Sequence, residues 1–141
     1  MPILTIAVEA DDHHHLSHFV VEHLKAQGIE LELYGALDPA ADSAWPLVAE
    51  AVGLRVASGQ CSQGIVMCWT GTGVSIAANK VPGVRAALCG DAETALGARA
   101  YNDANVLCLS LRATSEAVAK EILDAWFAAE IDERKGRIFS A

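Results

Sequence analysis

The chain has 141 residues, 52% of them hydrophobic, with a formal net charge of −8 and a pI near 4.9. That length suits one domain with a real core, and that hydrophobic content excludes a disordered chain. An acidic chain without a basic stripe is not built for nucleic acid, and no apolar run reaches the length of a membrane span.

Apolar runs alternate with helical patterns from end to end. The first strand is expected at Ile3–Val8, and the chain start, Met1-Pro2-Ile3-Leu4, lacks the basic region of a secretory signal. Asp11 and Asp12 are expected to cap a first helix over His15–Ala26, where Leu16, Phe19, Val20, His23 and Leu24 recur at helical spacing before Gly28. Glu30–Tyr34 reads as a second strand and Gly35–Ser43 as a loop. Trp45–Ser58 follows as a helix with Pro46 in its first turn. Gly64–Met67 is a third strand, Gly73–Asn79 a short helix and Val84–Leu88 a fourth strand with Arg85 at its start. Asp91–Arg99 reads as a helix capped by Asp91. Val106–Leu109 is a fifth strand, Ser115–Ala129 a long amphipathic helix, and Asp132–Ala141 a charged terminal extension whose Arg134 and Arg137 could reach a neighbouring subunit.

Strands alternating with helices predict an α/β fold: a single doubly wound, Rossmann-like domain with a five-stranded parallel sheet. Ligands in such folds sit beyond the carboxyl ends of the strands. Asp11, Cys68, Gly90–Asp91 and Ser110–Arg112 are expected there.

The four cysteines, at 61, 68, 89 and 108, match no zinc spacing and no Cys-x-x-Cys motif, so a reducing, cytoplasmic setting is expected. Cys89 and Cys108 lie in apolar runs as core residues, and Cys61 is expected on a surface loop. Cys68 closes the third strand just before Thr70-Gly71-Thr72-Gly73. Glycines there let the backbone come close to a ligand, and successive N–H groups at a helix N-terminus favour an anion or a developing oxyanion. Thr70, Thr72 and Ser75 add hydroxyls. The loop lacks the Gly-Lys-Ser/Thr of a phosphate-binding loop and the spacing of a dinucleotide fingerprint. By itself it serves as a tight turn as readily as a site, just as a lone buried cysteine is more often inert.

All five histidines fall between 13 and 23. His14 and His18 have the spacing of a ligand pair, but no cysteine or carboxylate pattern completes a site, so no metal is expected. Trp126 is expected in the core or at an interface.

Three segments carry a family resemblance: Cys68-x-Thr70-Gly71-x-Gly73-x-Ser75-Ile76-Ala77-Ala78-Asn79-Lys80, Pro82-Gly83-x-Arg85-Ala86, and Asn102-Asp103-x-Asn105-Val106-Leu107. Together they resemble the type B ribose-5-phosphate isomerases and the related galactose-6-phosphate isomerase subunits. The resemblance implies a homodimer, sometimes a dimer of dimers, with the active site at the interface. It implies an aldose–ketose isomerisation of a sugar phosphate that needs no metal or organic cofactor. On that resemblance Cys68 is the base that moves a proton between C1 and C2 through an enediolate. Thr70 assists ring opening and proton handling, and Gly71 and Gly73 hold the enediolate oxygens. Asp11 contacts sugar hydroxyls, Asn102 binds substrate, and Arg112, Arg134 and Arg137 bind phosphate.

Departures from the family pattern bear on the substrate. Tyr101 stands where the family has a ring-opening histidine, and a phenol is a poor base near neutrality. Asp12 stands where a phosphate-binding histidine is frequent, unless a gap moves His13 into place. Trp69 replaces a glycine, and Ala44-Trp45-Pro46 replaces a segment that carries an aspartate. The two terminal arginines are spaced one residue closer than in many members. These changes shift the expectation from ribose 5-phosphate toward a tetrose phosphate, which needs no ring opening, or a non-phosphorylated sugar. The rival expectations are an enzyme that keeps the same enediolate loop but epimerises its substrate or acts on an unusual sugar derivative, and a non-catalytic or partner-dependent sugar-binding subunit.

Overall fold

The computed structural model describes residues 4–38 and 47–140. Five strands, β1 (Thr5–Ala10), β2 (Glu30–Gly35), β3 (Gln63–Cys68), β4 (Ala86–Leu88) and β5 (Val106–Ser110), form one parallel sheet in the order β2-β1-β3-β5-β4. The helices are α1 (His15–Ala26), α2 (Leu47–Ala57), α3 (Thr72–Asn79), α4 (Ala92–Asn102), α5 (Glu116–Ala128) and the short α6 (Arg137–Ser140). The doubly wound, five-stranded reading holds.

Strand alternation splits the core into two layers. Ile6, Val8, Ile65, Met67, Leu107 and Leu109 face α1, α4 and α5, with Trp126 fully buried among them. Ala7, Val66, Val106 and Cys108 face α2 and α3. Helices that connect strands in one direction across the sheet lie on one face and those running back lie on the other, as right-handed crossovers require. The order reverses between β1 and β3, which opens a crevice at their carboxyl ends. No helix among the described residues is long and apolar enough to cross a membrane.

Several boundaries differ from expectation for identifiable reasons. β1 runs on to Ala10, past the expected end at Val8, because Glu9 and Ala10 keep pairing with Tyr34 and Gly35. Neither Asp11 nor Asp12 caps α1. His14 does so, its Nδ1 accepting from the Leu16 N–H at 3.1 Å while Ser17 Oγ accepts from the His14 N–H at 3.1 Å. β4 starts only at Ala86, since the Arg85 N–H is taken by Asn105 Oδ1 at 2.8 Å. Cys61 is in a loop but is 1% exposed, because the chain folds back beneath α2 and its N–H donates to the Arg55 carbonyl at 3.0 Å. α4 extends to Asn102, so Tyr101 and Asn102 occupy its last turn before Asp103 closes it at φ 46°. Asp91 and Ser115 cap α4 and α5. Ile3, Trp45, Pro46 and the Ala44–Pro46 departure lie outside the described residues, as does most of the Gly35–Ser43 loop.

Candidate active site at the carboxyl edge of the sheet

Cys68 is the last residue of β3, opposite Ser110 of β5. The chain turns sharply after it, and Gly71 takes φ +82° as the N-cap of α3. That conformation aims the Gly71 N–H at Cys68 Sγ, 3.2 Å away. A side chain could not stand there: a Cβ on Gly71 would lie 2.5 Å from Leu88 Cδ1 and 3.1 Å from the Leu109 carbonyl carbon. The glycine is therefore required both by its backbone angle and by its packing. The sulfur faces the N-terminus of α3, where the helix dipole favours negative charge.

The other three thiols are held protonated. Burial, with the neighbouring Glu32 carboxylate, pushes Cys61 up to about 11. Burial, with Asp91, pushes Cys89 up to about 11, and burial pushes Cys108 up to about 12. No hydrogen bond from a backbone N–H to sulfur is present at these three, whereas Cys68 has one.

The strand that follows β3 in the sheet order fixes the turn from the other side. The Leu111 N–H donates to the Cys68 carbonyl and the Arg112 N–H to the Trp69 carbonyl, both at 2.9 Å. Ser110 Oγ donates to the same Trp69 carbonyl at 2.9 Å. Beside this turn is an open cavity of about 280 Å³ lined by Thr70, Leu88, Cys89, Gly90, Ser110 and Arg112, among others. Thr70 Oγ1 and Thr72 Oγ1 are 2.8 Å apart, so the loop presents a coupled pair of hydroxyls. Gly73 lies in the first turn of α3, and Ser75 lies further along, with its hydroxyl beside the Cys108 thiol.

Asp11 reaches the same edge across the switch point, its N–H donating to the Met67 carbonyl at 3.0 Å. Asp12 and His13 are exposed just beyond it. The Trp69 side chain is 59% exposed, and the His14 ring meets it edge-on with 6.2 Å between centroids. Sequence reasoning had no role for His14 there.

Glu9 is the residue that sequence reasoning missed. It is 0% exposed, and no basic side chain among the described residues meets either of its carboxyl oxygens. Burial, then the Asp11 carboxyl, pushes it up to about 9. Burial raises Asp11 as well, against the lowering effect of its hydrogen bond with Glu9.

Tyr101, Asn102, Arg134 and Arg137 are elsewhere. α4 leaves the carboxyl edge after β4 and ends at the amino edge before β5. Arg85 marks that edge: its Nε donates to the Asp103 carbonyl at 2.6 Å. Asn105 Nδ2 donates to the Gly83 carbonyl at 3.0 Å. The terminal segment is tied down there too, by the Asp132 N–H on the Ala100 carbonyl at 2.7 Å and Ser140 Oγ on Asp103 Oδ2 at 2.5 Å. Arg134 lines a second cavity of about 410 Å³ with Asp132, Lys135 and Ile138. Lys135 Nζ lies 5.1 Å above the Tyr101 ring, and Arg137 pairs with Glu133 at 3.1 Å. The expected site residues therefore form two groups at opposite ends of one sheet.

The motifs also contain purely structural members. Asn79 Nδ2 donates to the Ala86 carbonyl at 3.0 Å while its Oδ1 accepts the Ala86 N–H at 2.8 Å, so it pairs with the edge strand β4 as another strand would. Asp103 and Asn105 bind Arg85 in the same supporting way.

The family described as Ribose/Galactose Isomerase matches residues 6–139. The chain is 39% identical over 117 residues to the Escherichia coli ribose-5-phosphate isomerase B, covering 83% of this chain and 78% of that protein. It is 36% identical over 132 residues to the D-erythrulose-4-phosphate isomerase of Pectobacterium atrosepticum, covering 92% and 86%. The solved ribose 5-phosphate isomerase of Thermotoga maritima superposes with a TM-score of 0.87 at 34% identity, covering 96% of this chain and 94% of that one. The family match over nearly the whole chain, with these identities and the shared fold, shows that the chain belongs to the ribose/galactose isomerase family.

Proposed function

We propose that the chain is an aldose–ketose isomerase of a sugar phosphate, with Cys68 as the base. The observation that carries this reading is the Gly71 N–H on Cys68 Sγ at the N-terminus of α3, beside the crevice. The reaction moves one proton between C1 and C2 and one between their oxygens, so it is redox-neutral overall and needs no external oxidant or reductant. A carbon-bound proton α to a carbonyl is weakly acidic, so the base needs help from charge stabilisation of the enediolate. In this reading Cys68 removes the proton from one carbon and returns it to the other. Backbone N–H groups of the Thr70–Gly73 loop stabilise the enediolate oxygens, and Thr70 relays the proton between them. Asp11 holds a sugar hydroxyl, and Arg112 at the rim of the cavity receives the phosphate.

The remaining group comes from a second copy. α4 runs from the carboxyl to the amino edge, about 16 Å for its length. Two copies related by a twofold with their α4 helices antiparallel bring Tyr101, Asn102, Arg134 and Arg137 of one to the Cys68 crevice of the other. Exposed Leu88, Leu96, Tyr101, Ile138 and Phe139 supply apolar surface for that contact. The cysteine chemistry needs reduced thiols, which fits a cytoplasmic setting.

The substrate we favour is a four-carbon sugar phosphate. With its terminal hydroxyl phosphorylated, such a sugar cannot close the usual ring, so it does not need the ring-opening histidine that Tyr101 replaces. The bulk of Trp69, which meets His14 edge-on where the family has a glycine, favours a small sugar in the same sense. The likeness to a D-erythrulose-4-phosphate isomerase supports this choice. The test is incubation of the purified protein with tetrose, pentose and hexose phosphates and the free sugars, following aldose–ketose interconversion by NMR. Fastest turnover of a tetrose phosphate supports the full reading. Fastest turnover of a pentose or hexose phosphate keeps the isomerase and rejects the substrate. No turnover of any sugar favours a partner-dependent subunit.

A further inference from the structure

We propose that Glu9 is a positioning residue for the Cys68 site, its carboxyl group keeping a proton and donating it to Asp11, so that Asp11 stays ionised and aimed at the sugar. This deepens the isomerase reading and rests on it.

Residues two apart in a strand share a face. Glu9 lies opposite Val66 of β3 and Tyr34 of β2. Two positions further on, Asp11 and Cys68 project toward the same α2–α3 side at the carboxyl edge. The three side chains thus share one face of the switch point. Both Glu9 oxygens and Asp11 Oδ1 are buried without a side-chain donor. Two adjacent carboxylates in that position do not both ionise readily, because neither has a counter-charge and Glu9 has no access to water. A proton kept on Glu9 lets one of its oxygens donate to Asp11 Oδ1, which pairs two of these three oxygens. The proton belongs on Glu9, which is fully buried, rather than on Asp11, which reaches solvent. The Glu9 carboxyl packs against Gly35, where a Cβ would lie 3.1 Å from Oε2, though the positive φ and the Ala10 carbonyl already require glycine there.

Apart from the Met67 backbone of β3, which acts to lower Glu9 against burial, the surrounding elements offer no other partner among the described residues. On β2, the Tyr34 hydroxyl is turned to Glu32 at 2.9 Å. On α2, Arg55 is committed to Glu32 at 2.6 Å, and Glu50 is a further acid. α3 carries no titratable side chain, and β5 contributes the Cys108 thiol.

The test compares Glu9→Gln with Glu9→Leu. The amide is neutral at every pH and can still donate to Asp11, whereas leucine cannot. Glu9→Leu is expected to lose roughly 10- to 100-fold in kcat/KM. Glu9→Gln is expected to recover most of that loss at neutral pH. It is also expected to lack the decline in kcat/KM that the wild type shows as Glu9 ionises near pH 9. Infrared difference spectroscopy of the wild type at neutral pH should show a protonated carboxylic acid band that Glu9→Gln removes, independently of any substrate. Equal kinetics for leucine and wild type, an unchanged alkaline decline in Glu9→Gln, or absence of the band overturns the proposal. The band without any sugar turnover instead overturns the isomerase reading, and with it the role given to Asp11.

Discussion

The Gly71 N–H donates to Cys68 Sγ at 3.2 Å, and only a glycine can make that contact at φ +82° against Leu88 and Leu109. Gly71→Ala is therefore expected to displace the loop and to lower kcat/KM by about 10²-fold, the loss typical of one missing oxyanion donor. Gly28→Ala is the control, since Gly28 also has positive φ but nothing within 4 Å of its Cβ position. That variant should lose about 1 kcal/mol of stability and keep its kinetics. Steady-state kinetics and thermal melts of the two variants check the distinction.

Far from the site, Arg55 and Glu32 should stabilise the β2–α2 side in a pH-dependent way. The Arg55 guanidinium, at 2.6 Å, is the largest cause holding Glu32 at about 2, below its ordinary 4.5. A lowered folded value means the stabilisation is complete above about pH 4.5 and is lost as the pH falls toward 2. The two side chains are 35% and 30% exposed, so water screens part of the effect. Glu32→Gln should cost about 1 kcal/mol at pH 7 and flatten the stability profile below pH 4.5. Urea melts across that range check both.

A site split between two copies predicts complementation. Cys68→Ala and Asn102→Ala proteins should each be inactive alone. Unfolded together and refolded, they should recover about a quarter of wild-type activity, since half of random dimers are mixed and each mixed dimer has one intact site. No recovery would place both residues in one chain's site, which the 11-residue span of α4 between the two sheet edges argues against.

Much of this was legible in the sequence. The apolar runs of β3 and β5 and the spacing along α1 and α5 carry the fold through periodicity alone. The Cys68–Gly73 turn was legible because a strand end, a glycine with positive φ and a helix start impose local rules. Glu9 was not, because ending β1 at Val8 left it in a loop. One more residue of strand would have placed it on the face of Asp11. Asn79, Asp103 and Asn105 belong to the motifs that carry the family resemblance, but their structural role was not legible, because their side chains bind backbone groups or Arg85 beside β4 and such long-range pairing leaves no local signature. The separation of Tyr101 from Cys68 also depended on a boundary, since a helix ending at Arg99 leaves Tyr101 free to turn either way.

The most direct measurement is solvent exchange in D₂O with the favoured tetrose phosphate, wild type beside Cys68→Ala. Proton transfer by the thiolate predicts deuterium at C1 or C2 with the wild type and exchange slower by about 10²- to 10⁴-fold with the variant. Exchange by Cys68→Ala at the wild-type rate would contradict the assignment of Cys68 as the base.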